Sequence, residues 1–279
     1  MISLNEAHNM EEVCSNLKGW AKEVFLVDSY SQDQTVDIAL SHGVHVVQRR
    51  FRGFGDQWNF ALNKLPITAP WTMKVDPDER LSDKLKASIV EAIEQDDCDG
   101  IEFTRRWWFM GRQLPVHDRI LRVWRTGECV FSDVSVNEHP KVKGNIVLVR
   151  GEMEHHDSPD LDHWLEKQNR YTTAEAVNAI KNVDFSDTPR LFGTTKQRRM
   201  WVKKHFIKIP FRYQLLFLYY WIWCGAWREG WVGYTSSQLW TDVMRLIEYK
   251  KREIQITGRM PIERYYGPGK PDERIKQFD

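Results

Sequence analysis

The segment Lys74-Val-Asp-Pro-Asp-Glu-Arg80 sets two carboxylates, Asp76 and Asp78, two positions apart at the end of the strand-like run 71–76. Carboxylates this close repel one another, and a divalent cation offsets the repulsion. Mg²⁺ or Mn²⁺ prefers oxygen ligands and fills its remaining positions with water and substrate phosphates, so the pair points to a phosphate-bearing substrate. Pro77 stiffens the turn between them. The same pattern also occurs as a plain acidic turn, and its place at a strand end is what favours a cation. A second acidic strand end, Asp28 in Val27-Asp-Ser-Tyr-Ser-Gln-Asp33, has two readings. Its carboxylate or the hydroxyl of Ser29 can bond a nucleobase edge or a ribose, or the segment caps the next helix through Ser31 or Asp33.

Such residues need a scaffold that brings strand ends together. Residues 2–4 are a very short strand, and Ala7, Met10, Val13 and Leu17 recur at helical spacing over 6–18, with Gly19 as terminator. Strands are predicted at 23–28, 44–49, 71–76 and 100–105, and helices at 35–42, near 57–64 and at 82–95. Ser31 and Gln34 form a capping-box pattern ahead of 35–42. This alternation argues for an α/β domain with a mostly parallel sheet, whose ligands sit at the carboxyl ends of the strands. Asn5, Asp28 and Asp76 fall there. From 106 to 150 the pattern turns to short strands, including 120–125 and 145–150, and 160–182 reads as a helix.

The 279 residues fit one large domain or a domain with an appendage, and 42% apolar content suffices for a core. The formal charge of +1 hides an asymmetry: residues 1–188 carry −9 and residues 189–279 carry +10. Two regions with two tasks are implied. An acidic first two-thirds opposes nucleic-acid binding. Cys14, Cys98, Cys129 and Cys224 show no metal spacing and read as unpaired thiols of a reducing compartment. The first residues lack a signal-peptide pattern, and the longest uncharged stretch, Tyr213 to Trp227, is 15 residues, short of the roughly 20 a spanning helix needs.

Taken in order, residues 2–35, the segment Arg50–Leu62 and Lys74–Arg80 resemble inverting family 2 glycosyltransferases of the GT-A fold, most closely the bacterial enzymes that build the lipopolysaccharide core. The likeness continues through 120–125, Val136-Asn-Glu-His-Pro140, 163–172 and the glycine-containing segment 224–240. Tyr30 stands where that family commonly has glycine, Pro77 where a small residue is usual, and Glu229 where aspartate is expected.

The resemblance implies a Rossmann-like GT-A domain over 1–187, with a donor part to about 105 and an acceptor part after it, and a helical basic-aromatic region over 188–279. It implies a UDP-sugar donor met by Asn5, Glu6, Asp28, Ser29, Gln57, Asn59 and Asp76. A Mn²⁺ or Mg²⁺ ion would be held by Asp76 and Asp78, with His155 or His156 nearby. Glu138 matches the position of the base that takes the acceptor proton, and Asp133 is the alternative. Arg106, Arg112 and Trp107 flank the acceptor side, where cations suit a phosphorylated or acidic acceptor. The acceptor would be a lipid-linked or lipopolysaccharide-type saccharide. The run from Asp187 to Glu229 holds nine Lys and Arg, eleven aromatic residues of an interfacial kind and no intervening acid. It suggests a cytoplasmic protein held peripherally on the anionic inner face of the membrane. Two other classes remain open at this point: a nucleotidyltransferase acting on sugar phosphates, whose glycine-rich phosphate loop has no counterpart before Gly19, and a non-catalytic, membrane-peripheral sugar-nucleotide-binding protein.

Overall fold

The computed structural model describes residues 1–132, 139–180, 190, 192, 197–198, 201, 205–206, 209–262 and 269–278. The chain forms two compact units. The first comprises Met1–Trp108, His117–Asp157 and Tyr265–Asp279; the second comprises Phe109–Val116 and Ser158–Arg264.

In the first unit, β1 (Ile2–Ser3), β2 (Phe25–Asp28), β3 (His45–Arg49) and β11 (Lys276–Phe278) make a four-stranded sheet, parallel throughout. Strand alternation splits its residues between two cores. Leu26 joins Met10, Val13 and Leu17 of α1 (Ala7–Leu17) and Ala39 of α2 (Thr35–Ser41). Val27 and Ile2 join Trp58, Ala61 and Leu65, the first two on α3 (Phe54–Lys64). Helices on both faces are what a parallel sheet requires.

A second sheet runs in the order β4 (Trp71–Met73), β7 (Arg112–Arg125), β6 (Gly100–Phe109), β10 (Ile146–His155) and β5 (Glu79–Leu81). The helix α4 (Asp83–Gln95) lays Leu85 and Ile89 into the core with Ile101, Phe103 and Met153; Ser82 caps it by accepting the Leu85 N–H at 3.3 Å. A short pair, β8 (Cys129–Phe131) and β9 (Pro140–Val142), is antiparallel.

Three expectations change. Ser31 does not cap α2: its hydroxyl bonds Asp28, while Asp33 accepts from the Thr35 N–H at 3.0 Å and also holds the Ala7 N–H at 3.0 Å. The strand expected over 71–76 ends at Met73, and the turn into β5 lies at residues 77–78. The chain also divides differently from a boundary at 187/188. The helix α5 (Leu161–Ile180) belongs with the C-terminal helices: Trp164 meets Trp240 edge-on at 5.8 Å, and Lys250 Nζ bonds the Asn169 carbonyl and the Thr172 and Thr173 hydroxyls. Conversely, the chain end returns to the first unit, where β11 pairs with β3. The second unit also holds α6 (Arg212–Leu218), a π-helical turn at Tyr219–Trp223, a short 3₁₀ turn at Ala226–Glu229 and the long helix α7 (Gly230–Thr257).

Candidate active site

Two sheet pairings assemble the acidic site of the first unit. β10 runs antiparallel to β5, with His155 opposite Glu79, and the His156 N–H donates to the Asp78 carbonyl at 2.8 Å. β10 also runs parallel to β6, with His155 beside Trp107. β10 reaches this far only because it bulges between Leu148 and Glu152. Gly151 sits in the bulge at φ +101°, and a Cβ there would lie 2.5 Å from the Leu85 backbone nitrogen, so only glycine fits.

The result is a set of three donors. The ligand atoms of Asp78, His155 and Asp157 lie within 4.8 Å of one another. His155 Nε2 is 3.1 Å from Asp78 Oδ2 and 4.0 Å from Asp157 Oδ1. His155 Nδ1 is buried and has no hydrogen-bond partner among the described residues. Burial pushes the His155 imidazole down, but Asp78 outweighs it and holds the group above its ordinary value. Two carboxylates and an imidazole crowded together, with a buried ring nitrogen left over, suit a divalent cation.

Asp76 stands beside this set in different company. Its carboxylate is 3.6 Å from Lys74 Nζ and 3.1 Å from Arg122 Nη2. Burial pushes its carboxyl up, and Lys74 and Arg122 more than reverse that. Beneath it, the fully buried Glu79 accepts the Asp76 N–H at 2.9 Å and Arg122 Nη2 at 2.5 Å, with Arg105 at 3.5 Å. Arg105 also pairs with Asp118 at 2.9 Å and lies over Trp107 at 4.9 Å. Lys74, Arg105 and Arg122 thus offset Asp76, Glu79 and Asp118, and the carboxylates of Asp78 and Asp157 face the histidine.

The two adjacent histidines part company because successive strand residues face opposite sides. His155 meets Trp107 edge-on at 4.5 Å on the acidic side. His156 stacks on Trp108 at 4.9 Å and bonds Glu154. Arg106 lies on the His156 side, in a double hydrogen bond to Glu152. Arg112 is exposed at the start of β7, in the second unit.

The residues expected around a nucleotide form a closed hydrogen-bond net at the carboxyl ends of β1 and β2. Asp28 is fully buried and accepts from Ser3 Oγ (2.9 Å), the Ser31 N–H (2.9 Å), the Ser31 hydroxyl and Gln48 Nε2 (2.8 Å). Direct contact with a ligand would have to replace one of these bonds. Ser29 Oγ accepts from Gln57 Nε2 at 3.3 Å, and Gln57 Oε1 accepts from Arg49 at 2.8 Å. Asn5, exposed and left-handed at φ +57°, accepts the Gln32 N–H at 2.7 Å. The Glu6 N–H donates to Thr35, and the Glu6 side chain accepts from Asn9. Asn59 is turned away from this net: its amide exchanges two hydrogen bonds with the Phe131 backbone, at 2.9 and 3.0 Å, and fixes β8 to α3. Glu138 and Asp133 lie outside the described residues.

Asp157, Lys74, Glu79 and Arg122 carry this geometry and are missing from the sequence-based set. Glu79 sits in the same acidic segment, where a third carboxylate was a visible signal. Asp157 follows the two histidines, and only the strand that continues past Gly151 reveals its place.

Residues 1–136 match the family described as Glycosyl transferase family 2. Over 250 residues the chain is 27% identical to the lipopolysaccharide core biosynthesis glycosyltransferase LpsC of Rhizobium meliloti (strain 1021), covering 85% of this chain and 84% of that one. A glycosyltransferase of Rickettsia bellii (strain RML369-C) is 38% identical over 197 residues, covering 65% of this chain and 66% of that one. Among solved structures, the mannosyltransferase PcManGT of Pyrobaculum calidifontis, in complex with GDP-Man and Mn²⁺, superposes with a TM-score of 0.52 at 14% identity, covering 90% of this chain and 85% of that one. That last likeness speaks for the fold. The acidic turn, the strand ends around it and these relatives agree: the chain is a glycosyltransferase built on the GT-A fold, and its residues 1–136 match glycosyl transferase family 2.

Proposed function

We propose that the chain moves a hexose such as glucose from a UDP-sugar to a lipid-linked saccharide of lipopolysaccharide or a related surface glycan, with inversion at the anomeric carbon and with a divalent cation held by Asp78, His155 and Asp157. The observation that carries this reading is the convergence of those three side chains within 4.8 Å, beside Asp76. The donor and acceptor classes rest on the sequence resemblance, and the likeness to LpsC supports the acceptor class. The match to a glycosyltransferase family displaces the nucleotidyltransferase and non-catalytic readings.

Bound there, a divalent cation would neutralise charge on the diphosphate leaving group as the glycosidic bond breaks. The imidazole in the donor set favours Mn²⁺ over Mg²⁺, which prefers an all-oxygen shell. Lys74 and Arg122 keep Asp76 ionised beside the site. The net around Asp28 and Gln57 shapes the loop on which a uridine would rest. Glu138, with Asp133 as the alternative, takes the proton from the attacking acceptor hydroxyl. A nucleotide-sugar donor places the reaction on the cytoplasmic side.

Titration calorimetry with UDP tests this. Binding should require Mn²⁺, and Asp78→Asn should weaken it at least about tenfold while the protein stays folded. Equal affinity in excess chelator would sink the metal-dependent reading. Release of UDP from UDP-glucose, compared with other UDP-sugars and with GDP-mannose, then ranks the donors.

A further inference from the structure

The second unit turns an apolar stripe toward solvent. Phe211, Leu215, Leu218, Tyr219, Ile222 and Trp223 are between 43% and 83% exposed. From Leu215 onward the spacing, i, i+3, i+4, i+7 and i+8, follows one face of the continuous rod formed by α6 and the π-helical turn, and Phe211 is the left-handed residue just before it. A surface helix normally buries such a stripe and shows water its polar side. This rod has already used its opposite side for packing: Tyr213 bonds Glu248 of α7, and Phe217 and Trp221 meet Tyr234 edge-on at 5.4 and 6.2 Å. The exposed stripe is therefore a second apolar face, additional to the one that holds the rod to the unit.

The next turn extends it. Trp227 and Trp231 are 52% and 68% exposed, and the exposed Arg228 lies 5.3 Å from the Trp227 ring. This segment is braced, because a Cβ on Gly233 would fall 1.7 Å from the Ala226 carbonyl oxygen. The 226–229 turn thus rests directly on the α7 backbone, and the two tryptophans are presented from a fixed support.

Charge selects the occupant. The sequence between Asp187 and Glu229 holds nine Lys and Arg and no Asp or Glu. A second copy of the chain would bring the same cation-rich stretch of sequence, with the exposed Arg228 on the face itself, and like charge opposes that contact. A sheet of anionic lipid headgroups complements it. The residue types agree: tryptophan and tyrosine favour the headgroup level, with leucine, isoleucine and phenylalanine entering the acyl boundary beneath. Among the described residues no helix is long and apolar enough to cross a membrane, so the face would lie in the surface and not span it.

We propose that the face from Phe211 to Trp231 docks the enzyme in the headgroup layer of an anionic membrane. This deepens the acceptor half of the function proposed above, since a lipid-linked acceptor lies in that layer. Its test needs neither acceptor nor sugar transfer.

The full chain is floated with vesicles of phosphatidylcholine alone and with phosphatidylglycerol added. Tryptophan quenching by brominated acyl chains is read on the same samples. The expected result is flotation with the anionic vesicles, quenching, and a fall in binding between 0.1 M and 1 M salt as the screening length drops from about 10 to about 3 Å. Ile222→Glu/Trp223→Glu changes only exposed positions and should lower the vesicle partition at least about tenfold. Far-UV circular dichroism checks its fold. UDP binding without lipid is measured in parallel, so that failure of the donor reading is seen apart from failure of this one. The proposal is overturned if the intact chain floats with neither vesicle, or if the double variant floats and is quenched like the parent. Self-association that the double variant abolishes, without flotation of the parent, also overturns it and assigns the face to a second copy.

Discussion

Glu79→Gln separates the charge of the buried carboxylate from its shape. Glu79 Oε1 accepts from Arg122 at 2.5 Å and lies 3.5 Å from Arg105, and Oε2 accepts the Asp76 N–H at 2.9 Å. Glutamine keeps one acceptor and turns the other into a donor. If its oxygen stays with Arg122, its NH₂ confronts the Asp76 N–H; if it turns, its NH₂ confronts two guanidinium groups. Removing one partner of a buried ion pair costs about 3–5 kcal/mol. Here Arg122 retains Asp76 at 3.1 Å and Arg105 retains Asp118 at 2.9 Å. The cost therefore belongs at the lower end, about 3 kcal/mol. A cooperative unit of about 150–250 residues shifts its melting temperature by roughly 2–4 °C per kcal/mol, so the first unit should melt about 6–12 °C lower. Scanning calorimetry reads the shift. UDP affinity should fall with it, because the Asp76 backbone loses its anchor. Glu79→Leu combined with Arg122→Met should regain much of the stability, as apolar replacements of buried pairs commonly do, without regaining UDP affinity. If Glu79→Gln melts within about 2 °C of the parent, the pairing is not what holds the acidic turn and the reasoning fails.

Three further outcomes are expected. His155→Ala should abolish Mn²⁺-supported UDP binding in calorimetry, whereas His156→Ala should leave it intact, because His156 stacks on Trp108 across the sheet. Asn59→Ala removes both bonds to the Phe131 backbone and should cost about 1–3 kcal/mol in thermal or urea unfolding, with Mn²⁺ affinity unchanged. In the second unit, burial raises the Glu248 carboxyl, but hydrogen bonds from Arg212 and Tyr213 outweigh it and hold the group below its ordinary value. A depressed carboxyl supports the fold above its unfolded pKa of about 4.3, and the support disappears as pH falls through the folded value. Near-UV circular dichroism should show the helical unit loosening on that acid limb, and Glu248→Gln should remove this part of the pH dependence.

The alternation of strands and helices over the first hundred residues was legible because each element is short, periodic and bounded by glycine or polar turns. The acidic turn was legible because two carboxylates at that spacing need an explanation whatever the fold. What stayed hidden depended on pairing between distant strands. The strand expected over 145–150 stops short of Gly151, yet the φ of +101° there and the closeness of the Leu85 backbone make a bulge through which the strand continues. That continuation alone brings His155 and Asp157 to Asp78, and strand alternation alone tells His155 from His156. Neither fact can be reached from local propensity. Ser31 shows the same limit at short range. Its spacing to Gln34 satisfies a capping pattern, but the buried Asp28 carboxylate is the stronger acceptor and draws the hydroxyl away from the helix. Tyr30 takes a left-handed φ of +64°, a conformation that glycine adopts most readily, and its carbonyl accepts the Gly269 N–H at 2.6 Å. The returning chain end therefore helps hold a backbone conformation that disfavours a bulky side chain by about 1–2 kcal/mol. A left-handed residue beside the Asp28 net thus has its compensation some 240 positions away, in a segment whose sequence gives no hint that it comes back.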